Sequence, residues 1–531
     1  MTQFFHDVAS NTLIYPRHAL ITQAIPEARE INEYVAVPRT LRNSQILRHY
    51  NFPVSPMVTD ENYDWPRNTR SVPHPYESQK LTTNFLVLHP RCFCLSDMGV
   101  GKTLSMAWAA DFLMKRFSPQ KFRAVIVCPK SMLDQWSNQI FEHFLGKRKA
   151  VILHGDAKKR VRMLEEDADF YILNFDGVGV GAHTRNRMEL DGFSKALAER
   201  SDIQLVIIDE ASAYKDAQTA RHKIARLAIA QRPYLWLATG TPTPNAPTDA
   251  YGLAKLVNNA FGKSFTGFRL DTMQKVTQFK WVPYKDGYEK ARRLLTPSIR
   301  FAIEDVWDGP EMTVQQRHID LTPEQKKLMA DLKRDLIVAV KSGKPITAPN
   351  EAAARTKFIQ ISLGAIYDSE HKVHYIDASP RVNELKSVIE QASGKIIVFA
   401  PLTSAVEFIY KELKNGTTCE IVNGNTSQKD RARIFQTFQQ EPAPRVLIAD
   451  PGTMAHGLNL WMARTVVWFG PCDKTELYLQ ANKRAHRPGQ KFPVTVVQFV
   501  STKLEAEIFK RLETNETLQG ILLDMVREDS L

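Results

Sequence analysis

The sequence predicts a two-domain α/β protein: two parallel sheets in tandem, a helical segment between them and a small N-terminal extension. Three observations carry this expectation. Short β-branched runs recur along the chain, each followed by a loop of polar or small residues and then a helical pattern. Continuous apolar runs alternating with helices are the mark of parallel sheets covered on both faces. The runs fall into two sets, and 531 residues exceed what one core serves.

Residues 1–70 form the extension, punctuated by Pro16, Pro26, Pro38, Pro53, Pro56 and Pro66, so only short helices fit there. They hold no chemical motif and are the expected seat of any protein partner. Residues 71–250 hold the first set of runs: Phe93–Leu95, Ala124–Cys128, Tyr171–Leu173, Leu205–Ile208 and Leu235–Ala238. From 251 to 377 the strand signal disappears. Tyr288–Leu295 and Pro323–Val340 read as helices, the latter with Leu328, Met329, Leu332, Leu336 and Ile337 at helical spacing. Residues 378–531 hold the second set: Lys395–Phe399, Cys419–Val422, Val446–Ile448, Val466–Phe469 and Val494–Phe499.

Composition narrows the class. With 43% apolar and 24% charged residues the chain is not a disordered one. The net charge of +12 suits a polyanionic partner. No apolar run reaches the ~20 residues that span a bilayer, so no membrane association is expected. The first residues lack the pattern of a signal peptide. Five cysteines, without CxxC pairs, read as reduced thiols in an intracellular compartment. Cys92 and Cys94 share a strand face and read as buried thiols.

The chemistry begins after Phe93–Leu95. Asp97-Met98-Gly99-Val100-Gly101-Lys102-Thr103 ends in the GK[ST] of a phosphate loop, with Ser96 where the usual first glycine stands. Gly99 and Gly101 let backbone amides, including those of Asp97 and Val100, turn toward phosphate oxygens. Lys102 supplies charge to the β- and γ-phosphates of ATP, and the Thr103 hydroxyl can ligate Mg2+. A hundred residues on, Leu205–Ile208 places Asp209 and Glu210 at a strand end, where α/β sheets bind ligands. Asp209 would hold magnesium and Glu210 would polarise the attacking water. Gln79 has the amide to read an adenine edge. Near the C-terminus, Arg484 and Arg487 stand three apart, which on a helix is one face. Their guanidinium forks would stabilise charge on the γ-phosphate.

These motifs together resemble the superfamily 2 helicases, and within them the Snf2-like ATPases, over about 75–500. Asp97–Thr103 is similar to that family's first motif. Val127–Trp136 is similar to motif Ia, tryptophan included. Asp209-Glu210-Ala211-Ser212 is similar to the DEAH box, with Ser212 in place of histidine. Leu237–Asn245 resembles motif III, Gly452–Leu460 motif V, and Gln480–Gln490 motif VI. The resemblance implies two RecA-like domains, a nucleic-acid-dependent ATPase, and Gly457 and Asn459 as further nucleotide-binding positions. It implies a compact member of the kind found in viruses and prokaryotes. The expected track is duplex DNA, held without regard to sequence by Lys130, Ser131, Asn174, Asn423 and Thr453. Two basic clusters, Lys147–Lys149 and Lys158–Arg160 with Arg162, either add attraction or are solvated faces. The alternatives are a strand-separating helicase on DNA or RNA, for which the sequence shows no wedge hairpin, and an ATP-gated binding module with little turnover.

Overall fold

The apolar runs are strands, in two parallel sheets. A computed structural model describes residues 4–66, 75–182, 189–276, 281–341, 348–368, 370, 372–454 and 460–514. The chain divides into two units, Met1–Val306 and Trp307–Leu531. Gly457 and Asn459, and the side chains of Leu336 and Ile337, lie outside the described residues.

The first unit opens with a four-stranded antiparallel sheet: β1 (Phe5–Asp7), β2 (Thr12–Pro16), β3 (Arg29–Ile31) and β4 (Tyr34–Pro38), in the order β1-β2-β4-β3. Leu13, Tyr15, Val35 and Val37 point to one face by strand alternation and build a small core with Ile21, Leu47 and Phe52. The prolines forbid long helices, as expected, but they do not forbid strands, and Pro16 and Pro38 close β2 and β4.

The main sheet of this unit contains β5 (Arg91–Cys94), β6 (Arg123–Cys128), β7 (Ala150–Ile152), β8 (Phe170–Asn174), β9 (Ile203–Asp209) and β10 (Tyr234–Ala238). A hairpin comes next, β11 (Met273–Lys275) with β12 (Trp281–Pro283), and then β13 (Ser298–Ile299) returns to the main sheet. The order is β13-β5-β10-β9-β6-β8-β7, parallel throughout. Register brings the C-terminal ends of the central strands level: Cys94 faces Ala238, and Ala238 faces Asp209. Ligands bind at that rim in such sheets.

In the second unit, β14 (Met312–His318) precedes a hairpin of β15 (Ala365–Tyr367) and β16 (Val373–Tyr375). Then come β17 (Lys395–Phe399), β18 (Cys419–Val422), β19 (Val446–Ala449), β20 (Ala463–Trp468) and β21 (Val494–Val500). The sheet order is β14-β21-β20-β17-β19-β18, again parallel. Its core includes Met329 from the helix Pro323–Lys341, with Leu328 and Leu332 packed beside it.

All ten anticipated runs are strands. The stretch 251–377 departs from expectation, since among its described residues there are six strands between the helices. Four make the two hairpins, and β13 and β14 are edge strands, one in each main sheet. No helix among the described residues is long and apolar enough to cross a membrane.

Candidate nucleotide-binding site

The loop after β5 is shaped by its glycines. Gly99 has φ 90° and Gly101 φ 85°, a left-handed backbone that glycine adopts without penalty. A Cβ on Gly101 would meet the Gln79 amide and force it aside. The helix Lys102–Phe117 starts here, with its N-terminus facing the loop. Lys102 Nζ curls back to donate to the carbonyls of Ser96 (2.7 Å) and Asp97 (2.9 Å). Its ammonium therefore lies inside the turn, where a phosphate would compete for it. Thr103 is half-buried in the first helical turn. Gln79 is buried on the helix Glu77–Leu88; its Oε1 accepts from Tyr76 N (2.9 Å) and its Nε2 lies 3.4 Å from the Gly101 carbonyl.

Ser96, in the place of the usual first glycine, has work of its own. It is fully buried, and its hydroxyl oxygen accepts from Phe301 N at 3.1 Å. Beside it, Leu95 N donates to Ile299 O (2.8 Å) and Asp97 N to Phe301 O (2.9 Å). The segment 298–301 thus clips the phosphate-type loop to the sheet edge.

Asp209 ends β9 and is buried. Its Oδ2 accepts from Trp136 Nε1 at 3.0 Å and its Oδ1 from Glu210 N at 3.0 Å. Burial pushes this carboxyl above the usual range, while the Lys102 charge and the two N–H donors pull it back. Glu210 is buried at φ 54°, ψ 52°, a left-handed conformation uncommon outside glycine. The loop after β10 closes the group: a Cβ on Gly240 would lie 3.4 Å from Met98 Cγ. Three motifs far apart in sequence are thereby gathered at one rim. Cys94 and Cys128 end β5 and β6, on either side of β10 and β9, as buried free thiols, and burial pushes both up.

In the second unit, the helix Thr475–Ala485 carries Gln480, Asn482 and the buried Arg484. It stops at Ala485, so Arg487 does not share a helical face with Arg484; it stands in the turn beyond, half-buried. Gly489, at φ 108°, and Pro488 make that turn, and they end the helix earlier than the i, i+3 reading assumed. The two arginines remain neighbours. Burial and the like charge of Arg484 push the Arg487 guanidinium down to about 9, which leaves it charged at neutral pH. The other residues of this motif are anchors. Asn482 Oδ1 accepts from Trp468 Nε1 (2.8 Å), His486 Nε2 donates to Pro310 O (2.7 Å), and Gln490 Nε2 donates to Trp461 O (2.7 Å) and Ala463 O (2.8 Å).

The residues expected to touch a track fall into two groups. Lys130 and Ser131 are exposed on a short turn after β6, and Asn174 is half-buried at the end of β8. Asn423 and Thr453 turn inward instead. Asn423 is buried and its Oδ1 accepts from Asn425 N (3.0 Å); the Thr453 hydroxyl donates to Asp450 O (2.7 Å). Each basic cluster also contains an internal arginine. Arg148 pairs with Asp111 (2.7 Å) and Asp169 (2.9 Å), and the buried Arg160 donates to Gly155 O and Leu153 O.

Two contacts escaped the sequence reading. Trp136 signalled a family there, and nothing along the chain showed that it holds Asp209. Ser96 stood out as a missing glycine, but its partner lies 205 residues away.

Residues 80–359 match the model of the SNF2-related domain, and this is more than half of the chain. The chain belongs to the SNF2-related family. Residues 380–489 match the helicase conserved C-terminal domain. An uncharacterised ATP-dependent helicase of Mycoplasma genitalium is 24% identical over 76% of this chain and 37% of its own length. A DNA repair and recombination protein, RAD54-like, of Gallus gallus is 21% identical over 82% of this chain and 64% of its own length. The chain therefore spans less than two thirds of these relatives. The SWI2/SNF2 ATPase core of Sulfolobus solfataricus in complex with dsDNA covers 85% of this chain, and the chain covers 93% of it, at 20% identity and a TM-score of 0.40.

Proposed function

We propose that this SNF2-related chain is a nucleic-acid-dependent ATPase that hydrolyses ATP with magnesium and uses the cycle to move along DNA. Its track is duplex DNA, gripped through phosphates without regard to sequence. One observation carries the reading: a phosphate-type loop with Lys102 and a buried, doubly hydrogen-bonded Asp209 meet at the rim of one parallel sheet. The residues fit the cofactors. Magnesium in such sites is held by one or two protein oxygens and by the nucleotide's phosphates, and Thr103 and Asp209 supply the former. Lys102 and the amides from Met98 to Gly101 would take the phosphates, since the Asp97 amide is already held by the Phe301 carbonyl, and Gln79 would take the base. Glu210 would orient and polarise the attacking water. The family resemblance gives Arg484 and Arg487 the γ-phosphate. The charge of +12 and the relatives' names, an ATP-dependent helicase and a DNA repair protein, support a nucleic-acid track.

The deciding experiment measures phosphate release with duplex DNA, single-stranded DNA and RNA side by side, in the wild type and in Lys102→Ala and Glu210→Gln. Duplex DNA should stimulate most. Lys102→Ala should fall to background, and Glu210→Gln should bind ATP yet turn over very slowly. The wild type should also displace the third strand of a triplex without unwinding a plain fork. Efficient fork unwinding, or stimulation by RNA alone, would replace this reading with a strand-separating helicase. The β11–β12 hairpin makes that comparison necessary, since a hairpin outside the main sheet is what the sequence alone did not show.

A further inference from the structure

We propose that the outer face of residues 261–276 and 281–300, in the first unit, is a second nucleic-acid contact, which takes the unpaired bases of a single-stranded tail or gap in DNA. The proposal rests on the reading that the chain works on DNA, and it adds a structure-selective site outside the motif loops.

Charge is the first observation. These thirty-six residues hold eight Lys and Arg against three Asp and Glu, a surplus of five out of the chain's +12. The three acids are already matched within the segment: Asp271 to Lys263 (2.9 Å), Asp286 to Lys290 (2.9 Å) and Glu289 to Arg293 (3.3 Å). Lys275 and Lys285 are exposed, and neither has an ion-pair partner among the described residues. Surplus charge without local carboxylates is the electrostatic footprint of a phosphate backbone.

Exposed aromatic rings are the second observation. Tyr284 is 40% and Tyr288 41% exposed, and Tyr284 directly precedes Lys285. The Arg269 guanidinium, on the helix Phe265–Thr272, lies 3.8 Å from the centre of the Trp281 ring on β12. A duplex keeps its bases stacked inside and offers such rings little. Unpaired bases stack on them, and a cationic groove beside the rings tracks the strand. An apolar protein partner would leave the charge surplus unanswered, and a merely solvated face would leave the rings uncovered.

The platform is firm on its inner side. Phe268, Ala291 and Leu294 are buried in the core of the unit, and β11 and β12 pair in register between the helices Phe265–Thr272 and Gly287–Leu294. The outer groups are thereby held in place rather than carried on a loose loop.

The test compares binding of the full chain to a blunt duplex and to the same duplex with a single-stranded thymidine tail. The wild type should prefer the tailed DNA. Tyr284→Ala with Tyr288→Ala should weaken tailed binding about tenfold and leave blunt binding and duplex-stimulated hydrolysis unchanged. Tyr284→Phe with Tyr288→Phe, which keeps the rings, should restore the preference. Lys275→Glu with Lys285→Glu should flatten the salt dependence of tailed binding by about 1.4 in logarithmic slope, and it carries the test if the alanine pair fails to fold. Equal losses on both DNAs, or no loss on tailed DNA, would overturn the proposal. A wild type without DNA-stimulated hydrolysis would instead defeat the motor reading, while the tailed-against-blunt comparison would still decide this one.

Discussion

Trp136 and Asp209 are 73 positions apart, and one hydrogen bond between them sets the orientation of a buried carboxylate. The indole N–H occupies Oδ2 and the Glu210 amide occupies Oδ1, so the side chain cannot turn freely. A metal ligand fixed in this way by its neighbours binds more tightly than a mobile one. Trp136→Phe keeps most of the buried volume and removes the donor. We expect the magnesium concentration for half-maximal hydrolysis to rise roughly tenfold, with most of the rate recovered at saturating magnesium. A fall in rate that magnesium does not recover would assign Trp136 to packing alone. At this scale the sequence was legible where spacing encodes chemistry, as in the Gly99–Thr103 loop and the Asp209-Glu210 pair. Trp136 as a donor and Ser96 as an acceptor were not legible, because each partner arrives only through the fold.

The central strands were readable as elements because they are buried on both faces and so consist of unbroken apolar runs, such as Leu205–Ile208. The edge strands hid for the opposite reason. β14 reads Met-Thr-Val-Gln-Gln-Arg-His and is mostly exposed, so it carries almost no apolar signal. The Arg484–Arg487 pair was misread as one helical face because Pro488 and Gly489 stop the helix short. The turn beyond that helix depends on Gln490, whose amide serves both the Trp461 and Ala463 carbonyls and the amides of Lys491 and Phe492. Gln490→Ala would strand several buried backbone groups, at about 1–3 kcal/mol each. We expect a clearly lower melting temperature for the second unit; an unchanged one would mean that the turn is held by other contacts.

For the molecule as a whole, the clip at 298–301 decides where the first unit ends. A fragment cut near Ala250 loses β13, the Phe301 bonds to Ser96 and Asp97, and the buried Phe268, Ala291 and Leu294. Residues 1–306 keep them all. We expect the 1–306 fragment to fold and to bind nucleotide without hydrolysing it, and the shorter fragment to aggregate or melt at a markedly lower temperature. Rapid hydrolysis by 1–306 alone would show that the second unit is dispensable for chemistry.

The buried thiols at the strand ends also make the chain its own timer. A thiol reacts as its thiolate and only when a reagent reaches it, and Cys92, Cys94 and Cys128 are shielded on both counts. Cys419, on the edge strand β18, is the most accessible of the five and should be alkylated first. The three slow cysteines of the first sheet then count how often that sheet opens. Cys94 lies two residues before Ser96, so ATP with magnesium should lengthen its alkylation half-life and leave Cys419 unaffected. Mass-resolved labelling read at each cysteine would record ligand protection without any mutation or dye, and equal rates with and without nucleotide would mean that ligand does not steady this rim.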